Sequence, residues 1–430
     1  MKKLPYLLLL IILSGCDLFE DAKVIVPNKN REPVVTLRRD VTPDPQLSGH
    51  PVNVSAPQVL TNWSQVGGNS SHALPNLLLG NNLVEKWHIS IGDGSCDDCR
   101  LIANVVTGSG HVYAMDAVGR VVAVDALSGK IMWEHDTTPE DLPGQALGGG
   151  IAYSNGYVFA ATSFGEMVAM NAKTGKILWR KELGAPMRIA PTVFGANLYI
   201  ININNELLCI SPENGEVKWR HSSIREATGI LGAANPAVAG GMIVAGFSSG
   251  EVRALNLQSG FLTWNDVITP PTHIDTVSSI ADIRARPVIS GNTVYIISHA
   301  GRTTAYDLDT GYRRWTRNFG GIRTPAVSNG NLFMVTNQQE LICIKGSTGQ
   351  IRWSVKLPQL DSEKVLWAGP VLTSRGLALA GSNGFIIFVD PRSGKIMHRV
   401  EVGEPIALSP VVANKTMYIL SESGTLFAYQ

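Results

Sequence analysis

Few side chains in this 430-residue chain could carry out covalent or redox chemistry, and their spacing argues against most of it. Cys96-Asp97-Asp98-Cys99 is a C-x-x-C pair, which in an exported chain closes a local disulfide. Thiol exchange would need a βαβ context around the pair, and that context is absent. Arg100 stands where haem attachment needs histidine, and no second Cys or Cys/His pair at zinc spacing follows. Cys209 and Cys343 occupy an alanine position of the repeat described below, so they read as small core residues. The nine histidines are scattered, and His111, His135, His221 and His299 fall near turns or strand ends, as surface or structural groups. No phosphate-cradling G-x-x-x-x-G-K-[ST] or H-E-x-x-H motif occurs. No clustered His, Asp or Glu pattern reads as a metal site. Neither a catalytic residue, a metal nor a cofactor is expected.

A second set of residues offers binding rather than bond making. Arg188 precedes Pro191, Arg284 and Arg286 precede Pro287, and Arg323 precedes Pro325. If these prolines open equivalent strands, the four guanidiniums form part of a basic collar on one face. A single arginine is usually a solvated loop residue. Equivalent placement of four is what argues for a functional surface.

The equivalence rests on an internal repeat. Ala123-Val124-Asp125-Ala126-Leu127-Ser128-Gly129-Lys130-Ile131-Met132-Trp133 returns as Ala169-Met170-Asn171-Ala172-Lys173-Thr174-Gly175-Lys176-Ile177-Leu178-Trp179. Further copies lie around Gly215/Trp219, Gly260/Trp264, Gly311/Trp315, Gly349/Trp353 and Gly394/His398. With Trp87, the terminal aromatics recur every 38 to 51 residues, the length of a four-stranded propeller blade. A second marker sits at Gly119, Gly165, Asn205, Gly250, Gly301, Gln339, Gly384 and Gly424. A hairpin there needs positive φ, which glycine and asparagine tolerate; the Gln339 turn is expected to differ. No long helix-period run lies between Leu83 and Gln430, so the chain reads as all-β, an eight-bladed propeller of four-stranded antiparallel blades. The last unit stops at Ala428-Tyr429-Gln430, and its missing piece stands at Leu83-Val84-Glu85-Lys86-Trp87. This N-terminal strand is expected to complete the final blade and close the ring.

Composition agrees: 44% apolar residues and 43 glycines suit a large, turn-dense β core, and a net charge of +1 makes no case for nucleic acid. Lys2 and Lys3 precede an apolar run over 4–13, too short to span a membrane comfortably and read as a signal peptide over 1–15. Leu13-Ser14-Gly15-Cys16 resembles a bacterial lipobox, which implies cleavage before Cys16 and a lipid on its sulfur, worth about 0.8 kcal/mol per buried CH₂. Residues 16–62 are proline-rich and without repeat, an extended tether; the propeller is expected over 63–430, beginning at Trp63.

From about Trp63 to Gln430 the tryptophan repeat resembles the pyrroloquinoline-quinone-type propeller family. One branch holds quinoprotein dehydrogenases, whose adjacent cysteine pair and calcium ligands are not matched here. The other holds lipoprotein subunits of the outer-membrane β-barrel assembly machine, and the lipobox, tether, length and blade count resemble that branch. The resemblance implies a non-enzymatic scaffold on the periplasmic face of the outer membrane. It would bind a BamA-type barrel assembly protein and its lipoprotein partners, with unfolded outer-membrane proteins as further clients. Asp17, after the lipidated cysteine, is an inner-membrane retention residue in some bacteria, which keeps that location as the alternative.

The resemblance also implies two partner-binding loops, one over 224–232 ahead of Pro236 and one over 274–284 ahead of Pro287. Arg225, Ile230, Leu231, Asp275, Asp282, Arg284 and Arg286 are the expected contact residues, with Leu231 as apolar anchor. The chain departs from the family here, carrying Ile230-Leu231-Gly232 for Leu-Arg-Gly and Asp282-Ile283-Arg284 for Asp-x-Asp. Two other readings stay open: a quinone-binding oxidoreductase, and a periplasmic lipoprotein that binds an anionic ligand, such as a glycan or peptide, at the collar around Arg188 and Arg323.

Overall fold

Each repeat folds as one antiparallel sheet of four strands because its apolar runs alternate with turn residues at fixed offsets. The computed structural model describes residues 41–139, 148–224, 234–268, 282–360 and 363–430. Cys16 and the signal segment lie outside the described residues, as do Arg225, Ile230, Leu231 and Asp275. Eight such sheets form, with the blades spanning 106–136, 149–182, 192–222, 237–267, 288–317, 326–356 and 367–401, and the eighth made of 411–429 plus Glu85–Ser90. Among the described residues the one helical element is a turn at Pro45–Leu47. The middle strands are buried on both faces, as in Arg120–Asp125, and so read as continuous apolar runs. Outer strands alternate, as in Val217–Ser222, and carry charge on their free edges, which discourages pairing with other chains.

The aromatic repeat has a packing cause. In the outer hairpin each terminal tryptophan faces a small residue: Ala123 opposite Trp133, Ala169 opposite Trp179, Cys209 opposite Trp219, Cys343 opposite Trp353. The indole then lies over the glycine turn of the next blade. At Gly175 (φ +70°) an added Cβ would sit 2.6 Å from the Trp133 ring, and at Gly260 (φ +69°) 2.6 Å from Trp219. Only glycine therefore satisfies both the left-handed turn and the close approach. Several indoles also donate to the neighbouring blade, Trp133 Nε1 to Ala172 O at 2.9 Å and Trp264 Nε1 to Leu308 O at 2.7 Å.

This explains the odd copy. Blade 8 combines two distant parts of the chain, Trp87 pairing with Ala428 and Gln430 N donating to Val84 O. No hairpin joins its outer strand, so blade 7 meets no glycine turn there. Blade 7 ends in His398, exposed and opposite Phe388 rather than a small residue. Apolar clusters join blade to blade around the whole ring, the largest running from blade 7 through blade 8 to blade 1. At the second marker all eight residues take positive φ, including Asn205 at 58° and Gln339 at 61°. The Gln339 turn thus does not differ. Its Oε1 accepts from Trp367 N at 2.8 Å in blade 7, which offsets the unfavourable backbone.

The segment before blade 1 is more than a tether. From Val41 onward it packs against the propeller, and Val52 is buried. It crosses one end of the channel and bonds to the far ends of the innermost strands in turn. Thr107 N donates to Trp63 O, Tyr153 N to Ser64 O, Val238 N to Ser70 O, Ile289 N to Ser71 O, Ser374 N to Leu77 O and Asn414 N to Leu60 O. Gln65 bridges to Val193, and Ser55 N donates to Ser328 Oγ. The body therefore starts ahead of the expected boundary at residue 63. Without repeat periodicity, nothing in the sequence of this segment announces that it bonds to eight separate blades.

Candidate functional site

The innermost strands begin just after the prolines, as in Pro191 before Thr192–Phe194 and Pro287 before Val288–Ser290. Proline fits there because these strands edge the channel and need no ladder donor at that point. The residues ahead of the prolines accordingly converge on one end of the channel. All eight blades contribute to a cavity of about 290 Å³, and Arg188, Arg284, Arg286 and Arg323 all line it. Val66, from the N-terminal segment, lines it too.

Two of the guanidiniums are held by neutral acceptors. Arg286 Nε donates to Asn235 Oδ1 at 3.1 Å and its Nη1 to Thr324 Oγ1 at 3.0 Å. Asn235 is oriented in turn by donating to Ala190 O at 2.6 Å. Arg323 Nη1 reaches across to Ala407 O of the blade 8 side at 3.0 Å. Burial and then the Arg323 charge pull the Arg286 pKa down to about 10; burial and then Arg284 do the same to Arg323, also to about 10. Both remain charged at neutral pH. Arg284 is likewise lowered by burial, with the Asp282 carboxylate opposing.

Nearby histidines report the same field. His72 rises from the N-terminal segment and is buried, with Nδ1 2.8 Å from Pro287 O. Burial and the Arg286 charge lower its pKa to about 3, so it is neutral and donates from Nδ1. His299 is lowered by burial and by Arg284. Asp282, expected as a contact residue, is only 2% exposed, and its carbonyl accepts from His299 N at 3.0 Å. Its charge acts on Arg284 inside the channel. The collar residues are thus brought together, whereas the two loop sets are described only at Asp282, Arg284 and Arg286. His72 and Asn235 were missed, because nothing local in the sequence marks a residue whose partners lie in another blade.

Away from the channel, Cys96 and Cys99 form a disulfide with Cα atoms 4.8 Å apart. Cys209 and Cys343 are buried free thiols in the core, and burial raises both pKa values, that of Cys343 to about 12. Among the described residues no three His, Cys, Asp or Glu side chains group as metal ligands.

A closed ring of eight four-stranded blades, with its converging groups on loops at one channel mouth, defines an eight-bladed β-propeller. The family model for outer membrane protein assembly factor BamB matches residues 117–355. A BamB of Alkalilimnicola ehrlichii is 30% identical over 343 residues, covering 80% of this chain and 87% of that one. The chain belongs to the BamB family. Among solved structures, BamB from Moraxella catarrhalis superposes with a TM-score of 0.68 at 17% identity, covering 81% of this chain and 99% of that one. A quinohemoprotein alcohol dehydrogenase from Comamonas testosteroni reaches 0.67 at 14% identity, covering 86% and 80%. Likenesses at such identities concern the fold alone.

Proposed function

We propose that this chain is a non-enzymatic scaffold lipoprotein of outer-membrane protein assembly, anchored through Cys16 to the periplasmic leaflet of the outer membrane. It binds a BamA-type barrel assembly protein and so aids the folding and insertion of β-barrel proteins. The observation that carries the reading is family membership over most of the chain, including the stretches ahead of blades 4 and 5. Loops on a rigid scaffold are where recognition is built. Within those stretches Arg225, Ile230, Leu231 and Asp275 make the partner contacts, and Arg284 and Arg286 extend them at the channel mouth. Asp282 serves by orienting Arg284.

The test is purification of the tagged full-length lipoprotein from its own membranes in mild detergent, with mass spectrometry of what accompanies it. A BamA-type barrel protein with its lipoprotein partners is expected. Leu231→Glu should reduce that recovery while leaving the unfolding transition in place. Recovery of the chain alone overturns the reading. Fractionation of the same membranes decides between the outer membrane and the inner-membrane location that Asp17 suggests.

A further inference from the structure

The arginine cavity gathers four like charges. Among the described residues that line it there is no carboxylate. Among the described residues, the acidic group acting on the cluster is Asp282, on Arg284. Arg286 and Arg323 are satisfied by an amide, a hydroxyl and a backbone carbonyl, which take hydrogen bonds without neutralising charge. The guanidiniums also oppose one another, Arg323 acting on Arg286 and Arg284 on Arg323. Struts between blades could be made from neutral amides without that repulsion. Keeping several like charges together in a partly desolvated channel is unfavourable unless something of opposite charge enters.

The geometry defines what could enter. Arg188, Arg284, Arg286 and Arg323 come from the loops ahead of blades 3, 5 and 6, so the charge lies on one side. Ile102, Leu366 and Leu408 line the cavity from blades 1, 7 and 8. A low-dielectric wall facing a basic one strengthens the field on a bound anion. The N-terminal segment bonds to the far ends of the innermost strands, away from the arginine end. The cavity's 290 Å³ admits a small molecule and not a folded chain. A guanidinium has five N–H donors in a planar fork, and the bonds named above occupy two on Arg286 and one on Arg323. Such forks match carboxylate and phosphate oxygens.

We propose that this socket binds a small multivalent oxyanion, a molecule carrying two or more carboxylate or phosphate groups, with Arg188, Arg284, Arg286 and Arg323 as its ligands. The socket shares Arg284 and Arg286 with the stretch ahead of blade 5, whereas Arg188 and Arg323 lie outside the loops proposed for partner contact, so variants at those two positions test the socket apart from the scaffold role.

The test uses the full-length lipoprotein in neutral detergent at constant ionic strength. Citrate and pyrophosphate are the probes, and acetate and chloride the controls. Titration calorimetry is expected to show saturable binding of citrate or pyrophosphate at one site per chain, with a matching rise in the thermal unfolding midpoint. Arg188→Gln and Arg323→Gln should each weaken binding about tenfold or more, the value of one charge-assisted contact. Arg220→Gln, on the outer strand of blade 3, should leave it unchanged. Arg323 also braces Ala407, so if that variant fails to fold, Arg188→Gln and Arg284→Gln decide. Absence of saturable binding by both probes at millimolar concentration overturns the proposal. So does equal stabilisation by acetate or chloride, which is screening, or unaltered affinity in folded arginine variants.

Discussion

Gly311→Ala probes the contact that repeats around the ring. Gly311 has φ +70°, and a Cβ there would lie 2.6 Å from the Trp264 ring. Two penalties follow. An L side chain in the left-handed region costs about 1–2 kcal/mol. Forcing a methyl into a packed contact costs about 1–3 kcal/mol more. The indole cannot step aside easily, because Trp264 is 9% exposed and its Nε1 is tied to Leu308 O at 2.7 Å. The total loss is about 2–5 kcal/mol. Gly291 in the same blade is the control, with φ +57° and nothing within 4 Å of its added Cβ. Gly291→Ala should therefore lose only the backbone part, about 1–2 kcal/mol. Trp264→Ala removes the whole stack and should cost about 3–5 kcal/mol. In that background Gly311→Ala should fall to the Gly291→Ala value, a coupling of about 1–3 kcal/mol. Urea unfolding of the full chain, read by midpoint and slope, measures all four variants. Equal midpoint shifts for Gly311→Ala and Gly291→Ala, or additive losses with Trp264→Ala, would refute the steric lock.

Other expectations concern single positions. His398→Ala should change stability by less than about 0.5 kcal/mol, because blade 7 has no glycine turn to stack on; a loss near that of Trp264→Ala contradicts this account of ring closure. Gln339→Asn suits the left-handed backbone better but cannot reach Trp367 N; unfolding midpoints should show a net loss of about 1 kcal/mol, and a gain would mean that the 2.8 Å bond contributes little. His72 has an ordinary pKa of 6.5 and a folded value of about 3, so the unfolded chain takes up the proton first as pH falls. Its contribution is intact above 6.5 and is lost on acidification toward 3, about 2 kcal/mol of it by pH 5. His72→Gln should flatten the stability profile by about one proton across that window, and an unchanged slope would rule the residue out as the source.

Legibility followed the range of the interactions. The blade count, the strand order and the closing strand at Glu85–Ser90 could be read because each blade repeats a local pattern: small residue, turn glycine, aromatic. Those elements depend on hairpins of neighbouring residues, and the period of the pattern reports them directly. The collar was legible to the same degree, since Arg188, Arg284, Arg286 and Arg323 hold similar places relative to Pro191, Pro287 and Pro325. Departures from the repeat were harder. Gln339 was expected to make a different turn because its remedy, Trp367 N, sits in another blade.

The sequence by itself determined that the chain is a closed propeller and which residues stand at its channel mouth, because period and hairpin chemistry are local properties. Only the tertiary structure decided what the glycine and tryptophan of each repeat do, since they meet across the boundary between blades. It alone placed residues 41–80 against every blade in turn, brought His72 beneath Arg286, and buried Asp282 beside Arg284. Those contacts join residues far apart in the chain with no shared period, and their energies exist only once the ring has closed.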